Sequence, residues 1–319
     1  MENTYDLVVT QRRYVARDVL ELTLGSPDGR RLPEAELGAH VDLRLGDALV
    51  RQYSLVHGFD QAAGTWVVSI LIERAGRGGS LLIEQALHPG THVKVSGPRN
   101  HFPFVTGRSY LFIAGGIGIT PLIGMCRAAH AAGADFKLMY AGRERATMAY
   151  LAELQAEFGR RVDVFAISEG RLIDVAKTIA DLDADTLVYC CGPEPLINAV
   201  SDAMTTPARE QYVHFERFRP ATDESFSPNH EFEVFAAKSN VEFLVPDDES
   251  ILMAADFAGV VVPGDCIEGT CGTCETKVLE GDVEHRDSVL RPSQRLTADS
   301  MMICVSRAAP GCSRLVLDL

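Results

Sequence analysis

The sequence predicts a multi-domain chain in which an antiparallel β-barrel is followed by a doubly wound α/β domain and then by a small α+β domain. Three observations indicate this order. Short alternating strands separated by Gly, Pro and Asp fill the first 105 residues, a pattern typical of small antiparallel barrels. Beyond them, continuous apolar runs alternate with helical segments, as in a parallel sheet covered on both faces. From Glu231 onward, strands resume around a cysteine-rich loop.

The expected domain boundaries follow from these changes of pattern. The barrel is expected to span residues 1–105, the α/β domain 106–218 and the third domain 231–319. Residues 219–230 are polar, contain proline and lack periodicity, so they are predicted to form a linker.

The predicted elements of the first two domains are strands at 7–9, 19–24, 41–45, 50–56, 66–72, 92–95, 110–114, 136–140, 162–167 and 187–190, and helices at 80–87, 119–131, 148–158, 172–182 and 194–204. The third domain is expected to contain strands at 231–237, 241–245 and 314–319 and a helix at 251–258.

Composition and charge exclude several classes of protein. The 319 residues are 46% hydrophobic and carry a formal net charge of −14, which argues against a nucleic-acid-binding protein, since such proteins need a basic surface. No apolar run approaches the roughly 20 residues that span a bilayer, so no membrane association is expected. The first residues, Met1–Asp6, lack the basic-then-apolar layout of a signal peptide, and a cytoplasmic location is therefore predicted.

The third domain carries the most specific motif of the sequence. Cys266, Cys271 and Cys274 have the spacing C-x4-C-x2-C, and Cys304 follows further along. This is the plant-type spacing for a [2Fe–2S] cluster held by four thiolates. The glycines of the loop allow a tight backbone curl that can aim N–H groups at the sulfurs. These four cysteines are the predicted cluster ligands.

A structural zinc site is the alternative for the same cysteines. Zinc sites usually pair two C-x2-C knuckles or add histidines, and the first two cysteines of this motif are too widely spaced for a knuckle. Disulfides are not expected either, because a long chain without a secretion signal can build apolar cores. Cys126, Cys190 and Cys312 are predicted to be buried small hydrophobes.

A glycine-rich turn follows the first apolar strand of the α/β domain. Its sequence is Gly115-Gly-Ile-Gly-Ile-Thr-Pro121. Such a turn lets a pyrophosphate approach the backbone, and the following helix N-terminus favours negative charge. The spacing differs from G-x-G-x-x-G, and similar turns also serve plain packing. A second strand end, Cys191-Gly-Pro193, strengthens the interpretation, because ligands of open α/β sheets bind along this carboxyl edge.

Two segments of the barrel are candidates for holding a flavin. On one predicted strand, Arg51 can grip a phosphate, Tyr53 can stack on an isoalloxazine, and Ser54 can donate to its N5 or O4 edge. Residues Arg77–Ser80, with the sequence R-G-G-S, open the predicted barrel helix and offer N–H groups to a phosphate. Taken alone, the arginine is more typical of a surface ion pair and the glycines of a hairpin turn.

Together and in this order, R-x-Y-S-L, G-R-G-G-S, G-G-I-G-I-T-P, C-G-P and the C-terminal cysteine motif resemble the phthalate dioxygenase reductase family. The resemblance covers nearly the whole chain, including the stretches 214–218, 284–287 and 304–308. The reductases of vanillate demethylase-type and carnitine monooxygenase-type systems look similar too.

The resemblance implies FMN in the barrel, NADH on the α/β domain, and a [2Fe–2S] cluster in a β-grasp-like plant-type ferredoxin domain. FMN rather than FAD is favoured because the helix start at Ser80 suits a terminal phosphate. The implied FMN contacts are Arg51, Tyr53, Ser54, Leu55, Ile70, Gly78, Gly79, Ser80 and Phe218, and the implied NADH contacts are Gly115, Gly116, Gly118, Ile119, Thr120, Pro121, Cys191, Gly192 and Pro193. Ser54, Thr120, Cys191 and Phe218 are expected to shape the contact between nicotinamide and flavin, with Phe215 as a rival for the aromatic beside the isoalloxazine.

The choice between NADH and NADPH depends on two side chains. A 2′-phosphate calls for basic residues after the second or third strand of the α/β domain. Arg143, expected near the ribose, lies after the second strand together with Arg145, and it leaves NADPH open as the alternative. Glu169 follows the third strand, where a carboxylate can accept from a ribose hydroxyl and repel an extra phosphate. The sequence therefore favours NADH.

The predicted function is an NADH-dependent reductase that passes electrons from NADH through FMN to its [2Fe–2S] cluster and on to a terminal oxygenase of the Rieske type. Neither a general acid nor a nucleophile is expected, because the cofactors supply the chemistry. From Glu231 onward there are 16 acidic and 7 basic residues, a formal −9, which would suit a basic partner, although ferredoxin-like domains are often simply acidic. A monomer is expected.

Two alternatives remain open at this point. One is a reductase for a di-iron monooxygenase or a cytochrome, although the reductases of di-iron enzymes usually carry the ferredoxin domain at the N-terminus. The other is a redox sensor in which the cluster reports on NADH without feeding an oxygenase.

Overall fold

The computed structural model describes residues 4–46, 49–57, 64–76, 78–204, 206–218, 226–264, 266–290 and 292–319. The chain forms two compact units, Met1–Glu216 and Arg217–Leu319. Residues 219–225 of the predicted linker lie outside the described residues.

The first part of the first unit is an antiparallel barrel. Its six strands are ordered β4-β3-β6-β1-β2-β5. A bridge between Leu55 and Val68 joins the two edge strands and closes the sheet, as the sequence predicted. Alternate side chains such as Val41 and Leu43 fill the interior. The elements are β1 Thr4–Ala16, β2 Val19–Gly25, β3 His40–Leu45, β4 Leu49–Ser54, β5 Trp66–Leu71, α1 Gly79–Ala86 and β6 His92–Arg99.

The second part of this unit is a five-stranded parallel sheet with the order β11-β10-β7-β8-β9. The chain runs outward from β7 and then returns to the other side of it, so the strand order reverses between β7 and β10, where open α/β sheets bind ligands. The strands are β7 Ser109–Gly115, β8 Asp135–Gly142, β9 Val162–Ala166, β10 Leu187–Cys191 and β11 Val213–Glu216. The helices are α2 Leu122–Ala131, α3 Leu151–Phe158, α4 Val175–Ala180, α5 Glu194–Ala203 and α6 Pro207–Glu210.

The barrel packs directly on the parallel sheet within this unit. Helix α2 reaches the barrel through Gly124, where an added Cβ would lie 2.7 Å from both His57 and Leu37. The connection between the two sheets is anchored by Tyr189, whose hydroxyl accepts from the N–H of Val105 at 2.7 Å. A close approach of backbone and side chain therefore fixes one sheet against the other.

The second unit is an α+β domain with the sheet order β13-β12-β18-β14-β16. Its first and last strands, β12 and β18, are parallel neighbours, and α7 covers the sheet, which is a β-grasp arrangement. The elements are β12 Phe232–Ala236, β13 Val241–Val245, α7 Ile251–Phe257, β14 Glu275–Glu280, β15 Val283–Glu284, α8 Pro292–Thr297, β16 Ser300–Met302, β17 Arg307–Ala308 and β18 Arg314–Leu317.

The structure corrects several predicted elements. Three helices begin later than predicted, at Leu122, Leu151 and Val175, because 3₁₀ turns or extended residues precede the first two and Asp174 caps the third. Strands β1 and β6 are longer than predicted, and β11 and β14–β17 were not predicted as strands. These missed strands have two to six residues, and four of the five are too short to show a periodicity.

No helix among the described residues is long and apolar enough to cross a membrane.

Candidate cofactor and electron-transfer site

The four cysteines of the predicted cluster site meet in the second unit. Cys271 and Cys274 are 3% exposed and Cys304 is 7% exposed. The thiol of Cys266 shares hydrogen bonds with those of Cys271 and Cys304, which lower the pKa of Cys266. Cys274 also bonds to Cys304. Side chains separated by up to 38 positions in the sequence are thus within reach of one cluster.

The backbone of the cysteine loop supplies donors to this sulfur group. The N–H groups of Glu268 and Thr270 each lie 3.4 Å from the Sγ of Cys266. N–H groups aimed at a thiolate sulfur stabilise its negative charge, as an iron–sulfur site requires. The buried thiols and their donors fit a [2Fe–2S] cluster.

Asp287 anchors the loop, although nothing in the sequence singles it out except its place in the stretch 284–287 of the family resemblance. Its carboxylate is fully buried and accepts from the N–H groups of Val289 and Leu290. The next residue, Ser288, donates its N–H to the carbonyl of Gly269 at 2.8 Å. Gly269 has φ +69°, and an added Cβ would lie 2.6 Å from Val305 and 3.2 Å from Asp287. Only glycine fits there.

In the barrel, the structure brings Arg51 to the start of α1. An added Cβ at Gly79 would lie 2.6 Å from the Nε of Arg51, so the guanidinium lies across this helix start. Gly78 is the residue before the helix and has φ +84°, and the Oγ of Ser80 accepts from the N–H of Glu73 at 3.0 Å. A guanidinium beside free helix N–H groups fits a terminal phosphate. Arg77 lies outside the described residues.

The other predicted flavin contacts of the barrel have different surroundings. Tyr53 is half-buried, and burial raises the pKa of its hydroxyl above the ordinary value. Leu55 and Ile70 belong to the barrel core and are 2% and 0% exposed. Tyr53 therefore has a partly accessible side chain, whereas Leu55 and Ile70 can offer a ligand little more than their backbone.

The glycines of the turn after β7 do different things. Added Cβ atoms would lie 2.4 Å from Pro193 at Gly115 and 2.3 Å from the carbonyl oxygen of Cys191 at Gly118. Gly192 in turn lies against Gly115, with 2.8 Å from its added Cβ to that residue's Cα. These three glycines let two strand ends touch. Gly116, with φ +55°, has open space where its Cβ would be.

The end of the glycine turn is buried. Ile119 and Thr120 are 0% and 2% exposed, and the Thr120 hydroxyl donates to the carbonyl of Ile117 at 3.0 Å. Pro121 immediately precedes α2 rather than lying in its first turn, so the predicted helix start was early.

A buried carboxyl that sequence reasoning missed joins the barrel to the sheet edge. Glu216, the last residue of β11, accepts at Oε2 from the Ser54 hydroxyl at 3.2 Å, and the Cys191 thiol lies 4.0 Å from the same oxygen. Desolvation raises the pKa of Glu216 to about 8, although the Ser54 bond acts the other way. Burial also raises the pKa of Cys191. Ser54 and Cys191 are thus brought together around a carboxyl that is mostly protonated at neutral pH.

The predicted ribose and aromatic contacts are less well defined. The carboxylate of Glu169 forms a two-point ion pair with Arg145 at 2.6 and 3.1 Å, whereas Arg143 meets this strand end through its backbone, accepting from the N–H of Ser168. Phe218 is 43% exposed, and Phe215 packs partly into the core of the parallel sheet.

Comparison with known domain families gives the class of the protein. Residues 234–309 match the 2Fe-2S iron-sulfur cluster binding domain, and residues 112–202 match the oxidoreductase NAD-binding domain. The chain is therefore an oxidoreductase that joins an NAD-binding domain to a [2Fe–2S] domain.

Comparison with whole proteins gives the family. The chain is 39% identical over 316 residues to the toluene-4-sulfonate monooxygenase system reductase subunit of Comamonas testosteroni, with 98% of each chain covered. The solved structure of phthalate dioxygenase reductase is 33% identical, with a TM-score of 0.69 over 99% of this chain and 98% of that one. A type IV self-sufficient cytochrome P450 monooxygenase is 39% identical with a TM-score of 0.85 over 99% of this chain, which spans only 41% of that longer protein.

The chain belongs to the phthalate dioxygenase reductase family. This confirms the family, the fold class and the cofactors predicted from the sequence: FMN, a [2Fe–2S] cluster and NADH as electron donor. FMN accepts two electrons together and releases them singly, so it connects a two-electron donor to a one-electron cluster.

Proposed function

We propose that this chain is the reductase component of a system whose terminal oxygenase is of the Rieske non-haem iron type and acts on an aromatic acid or a similar small substrate. The observation that supports this most is the match along nearly the full length of both chains to a monooxygenase system reductase subunit, in which 98% of both chains align. A reductase subunit of that kind delivers electrons to the oxygenase of its system.

The residues proposed for each cofactor divide between the two units. FMN is held by the Arg51, Gly78, Gly79 and Ser80 cradle, with Tyr53 and Ser54 at the ring and Leu55 and Ile70 nearby. NADH binds along the turn from Gly115 to Pro121 and at Cys191–Pro193, with Arg143 and Glu169 near the ribose. Cys266, Cys271, Cys274 and Cys304 hold the cluster. Boundaries at 105/106 and a linker at 219–230 separate the three proposed domains.

Each proposed cofactor site is built from residues of one chain, which supports a monomer. A cytoplasmic location is proposed because thiolate ligands need reducing conditions.

The proposed docking surface for the oxygenase is the segment 239–276, which includes β13, α7 and the cysteine loop. Residues 239–276 contain eight Asp or Glu and neither Lys nor Arg. Within this segment Met253 is 51%, Phe257 76% and Ile267 67% exposed. Ile267 follows the cluster ligand Cys266 and has φ +50°, a strained conformation for a β-branched residue. A segment that combines exposed apolar side chains with acidic residues and carries no basic ones suits a partner with basic residues around an apolar contact.

The test is anaerobic electron transfer from NADH through this reductase to the Rieske centre of the Comamonas toluene-4-sulfonate oxygenase, followed by electron paramagnetic resonance. Reduction of that centre at a rate that falls with ionic strength supports the proposal. Phe257→Ser is expected to raise KM for the oxygenase about tenfold, whereas Leu296→Ser, at a residue that is 88% exposed outside the segment, leaves it unchanged.

A cytochrome partner is the second candidate, favoured by the structural match to a self-sufficient P450 at a TM-score of 0.85. A reduced [2Fe–2S] cluster that passes electrons to a P450 haem but not to the Rieske centre would replace the first proposal by this one.

A further inference from the structure

Two buried tyrosines connect the glycine turn to the barrel. The first, Tyr140 on β8, is fully buried. Its hydroxyl lies 3.2 Å from the carbonyl oxygen of Gly116 and 3.2 Å from that of Ala149. A tyrosine has a single hydroxyl proton, so this proton is shared between the glycine turn and the residue that precedes Tyr150.

The second tyrosine, Tyr150, enters the barrel from the α/β domain. It is fully buried, and its hydroxyl donates to the Glu21 carboxylate at 2.6 Å. The Ser69 hydroxyl lies 2.5 Å from the hydroxyl oxygen of Tyr150. Because the tyrosine proton goes to Glu21, Ser69 must be the donor of that second bond. Glu21 on β2 and Ser69 on β5 are directly paired across the barrel sheet.

Two further features hold this arrangement in place. Tyr150 has φ +58°, a left-handed conformation that is strained for a non-glycine residue. Such strain persists only where the surroundings over-determine it. The Nε of Arg13 donates to Oε1 of Glu21 at 2.5 Å. The backbone N–H of Arg17, at the end of the barrel's first strand, donates to the carbonyl of Ala146 at 2.8 Å.

We propose that Tyr140 and Tyr150 are positioning residues that set the distance between nicotinamide and flavin. The path runs from the Gly116 carbonyl through Tyr140 to the Ala149–Tyr150 peptide, and from the Tyr150 hydroxyl to barrel strands β2 and β5. It ties the turn proposed to bind NADH to a strand beside the proposed flavin site. The inference rests on the proposed placement of NADH, and it does not depend on which oxygenase is the partner.

The importance of such a connection follows from the reaction. Hydride transfer requires the reacting atoms in near contact, and a displacement of about 1 Å caused by a remote change can cost on the order of 100-fold in rate. Neither tyrosine hydroxyl lies within 4 Å of the position that an added Cβ at Gly116 would take. Their loss should therefore alter the geometry of bound NADH more than its affinity.

The experiment is anaerobic stopped-flow reduction of the full-length holoprotein by NADH, with Tyr150→Phe, Tyr140→Phe and the double variant. Tyr110→Phe is the matched control, since this buried tyrosine of the same sheet bonds to Val105 and Gly107, which directly precede its own strand, rather than to the glycine turn or a barrel strand. The readouts are the rate constant of flavin reduction at saturating NADH, the NADH dissociation constant, and the long-wavelength absorbance that reports stacking of nicotinamide on flavin. Reduction by dithionite, which needs no NADH site, checks the flavin itself.

The proposal expects the rate constant to fall about tenfold or more in both single variants and the stacking absorbance to weaken. The NADH dissociation constant should stay within about threefold, and the double variant should lose no more than the worse single variant, because both residues act through one connection. Rate constants within about twofold of Tyr110→Phe would overturn it, and so would effects that multiply in the double variant. Unchanged rates with weakened NADH binding would likewise overturn it, by showing an effect on affinity alone. If Tyr150→Phe does not fold, Ser69→Ala removes one bond to the same hydroxyl and must satisfy the same rate criterion.

Discussion

The cysteine loop of the second unit and the glycine turn of the first are both tight backbone segments at predicted cofactor sites, but they use their small residues differently. In the cysteine loop, Gly269 presses against Asp287 and Val305, while neighbouring N–H groups point at the sulfur of Cys266. In the glycine turn, Gly118 presses against the carbonyl of Cys191, and Gly116 faces open space. The ligand side chains of a loop indicate its cofactor from the sequence alone. The role of a glycine is known only when the structure shows which atoms lie against it.

The largest expected effect is in the cysteine loop. Cys271→Ser should abolish the cluster, because the serine oxygen replaces one of the four thiolates that hold it. We expect reduction of cytochrome c to be lost and the NADH-dependent reduction of ferricyanide by the flavin to be kept, measured together with the iron–sulfur absorbance and the melting temperature.

The matched control is Cys312→Ser, which removes a half-buried thiol that lies outside the cluster group and should change neither activity. Loss of flavin reduction in a Cys271→Ser protein with a native melting temperature would contradict the division of work between the two units.

The second prediction separates the packing glycine from the open one. An added Cβ at Gly118 would lie 2.3 Å from the carbonyl oxygen of Cys191 and 2.7 Å from the nitrogen of Gly192, and backbone atoms cannot easily move aside. Gly118→Ala should therefore lower the free energy of unfolding by about 3 kcal/mol. Gly116→Ala should lower the free energy of unfolding only by the strain of its positive φ, about 1–2 kcal/mol, because nothing lies within 4 Å of the new atom. Urea denaturation of both variants measures the difference.

The same pair tests where NADH lies. The open side of Gly116 is the space that we propose the dinucleotide occupies, so Gly116→Ala should weaken NADH binding despite its smaller effect on stability. Equal losses of stability in the two variants, or NADH affinity unchanged in Gly116→Ala, would remove the distinction between the two glycines.

The sequence could predict those features whose residue pattern is produced by few other structures or chemistries. The cysteine spacing predicted the cluster, and the fully apolar run at Tyr110–Ala114 predicted a buried parallel strand, because few other chemistries produce either pattern. The roles of Glu216 and Tyr150 could not be predicted in this way. Glu216 ends a four-residue strand and becomes important only when Ser54, 162 positions away in sequence, donates to it. Tyr150 lies in a segment predicted to be helix, and its contacts are set by the packing of two sheets.

The smallest expected effect concerns Glu216 and tests whether its carboxyl is as desolvated as the thiols of the cysteine loop. Desolvation raises its pKa from 4.5 to about 8 in the folded chain, so folding favours the protonated carboxyl. The stabilising contribution is present below about pH 4.5 and is lost as the pH rises through about 8. Part of Glu216 remains accessible although its carboxyl is desolvated, so we expect the wild-type protein to lose about 1–2 kcal/mol of unfolding free energy over this range relative to Glu216→Gln. Urea denaturation from pH 5 to 9 measures this, with the exposed Glu233→Gln as the control. Parallel stability curves for wild type and Glu216→Gln would show that this carboxyl, unlike the buried thiols of the sulfur group, is solvated.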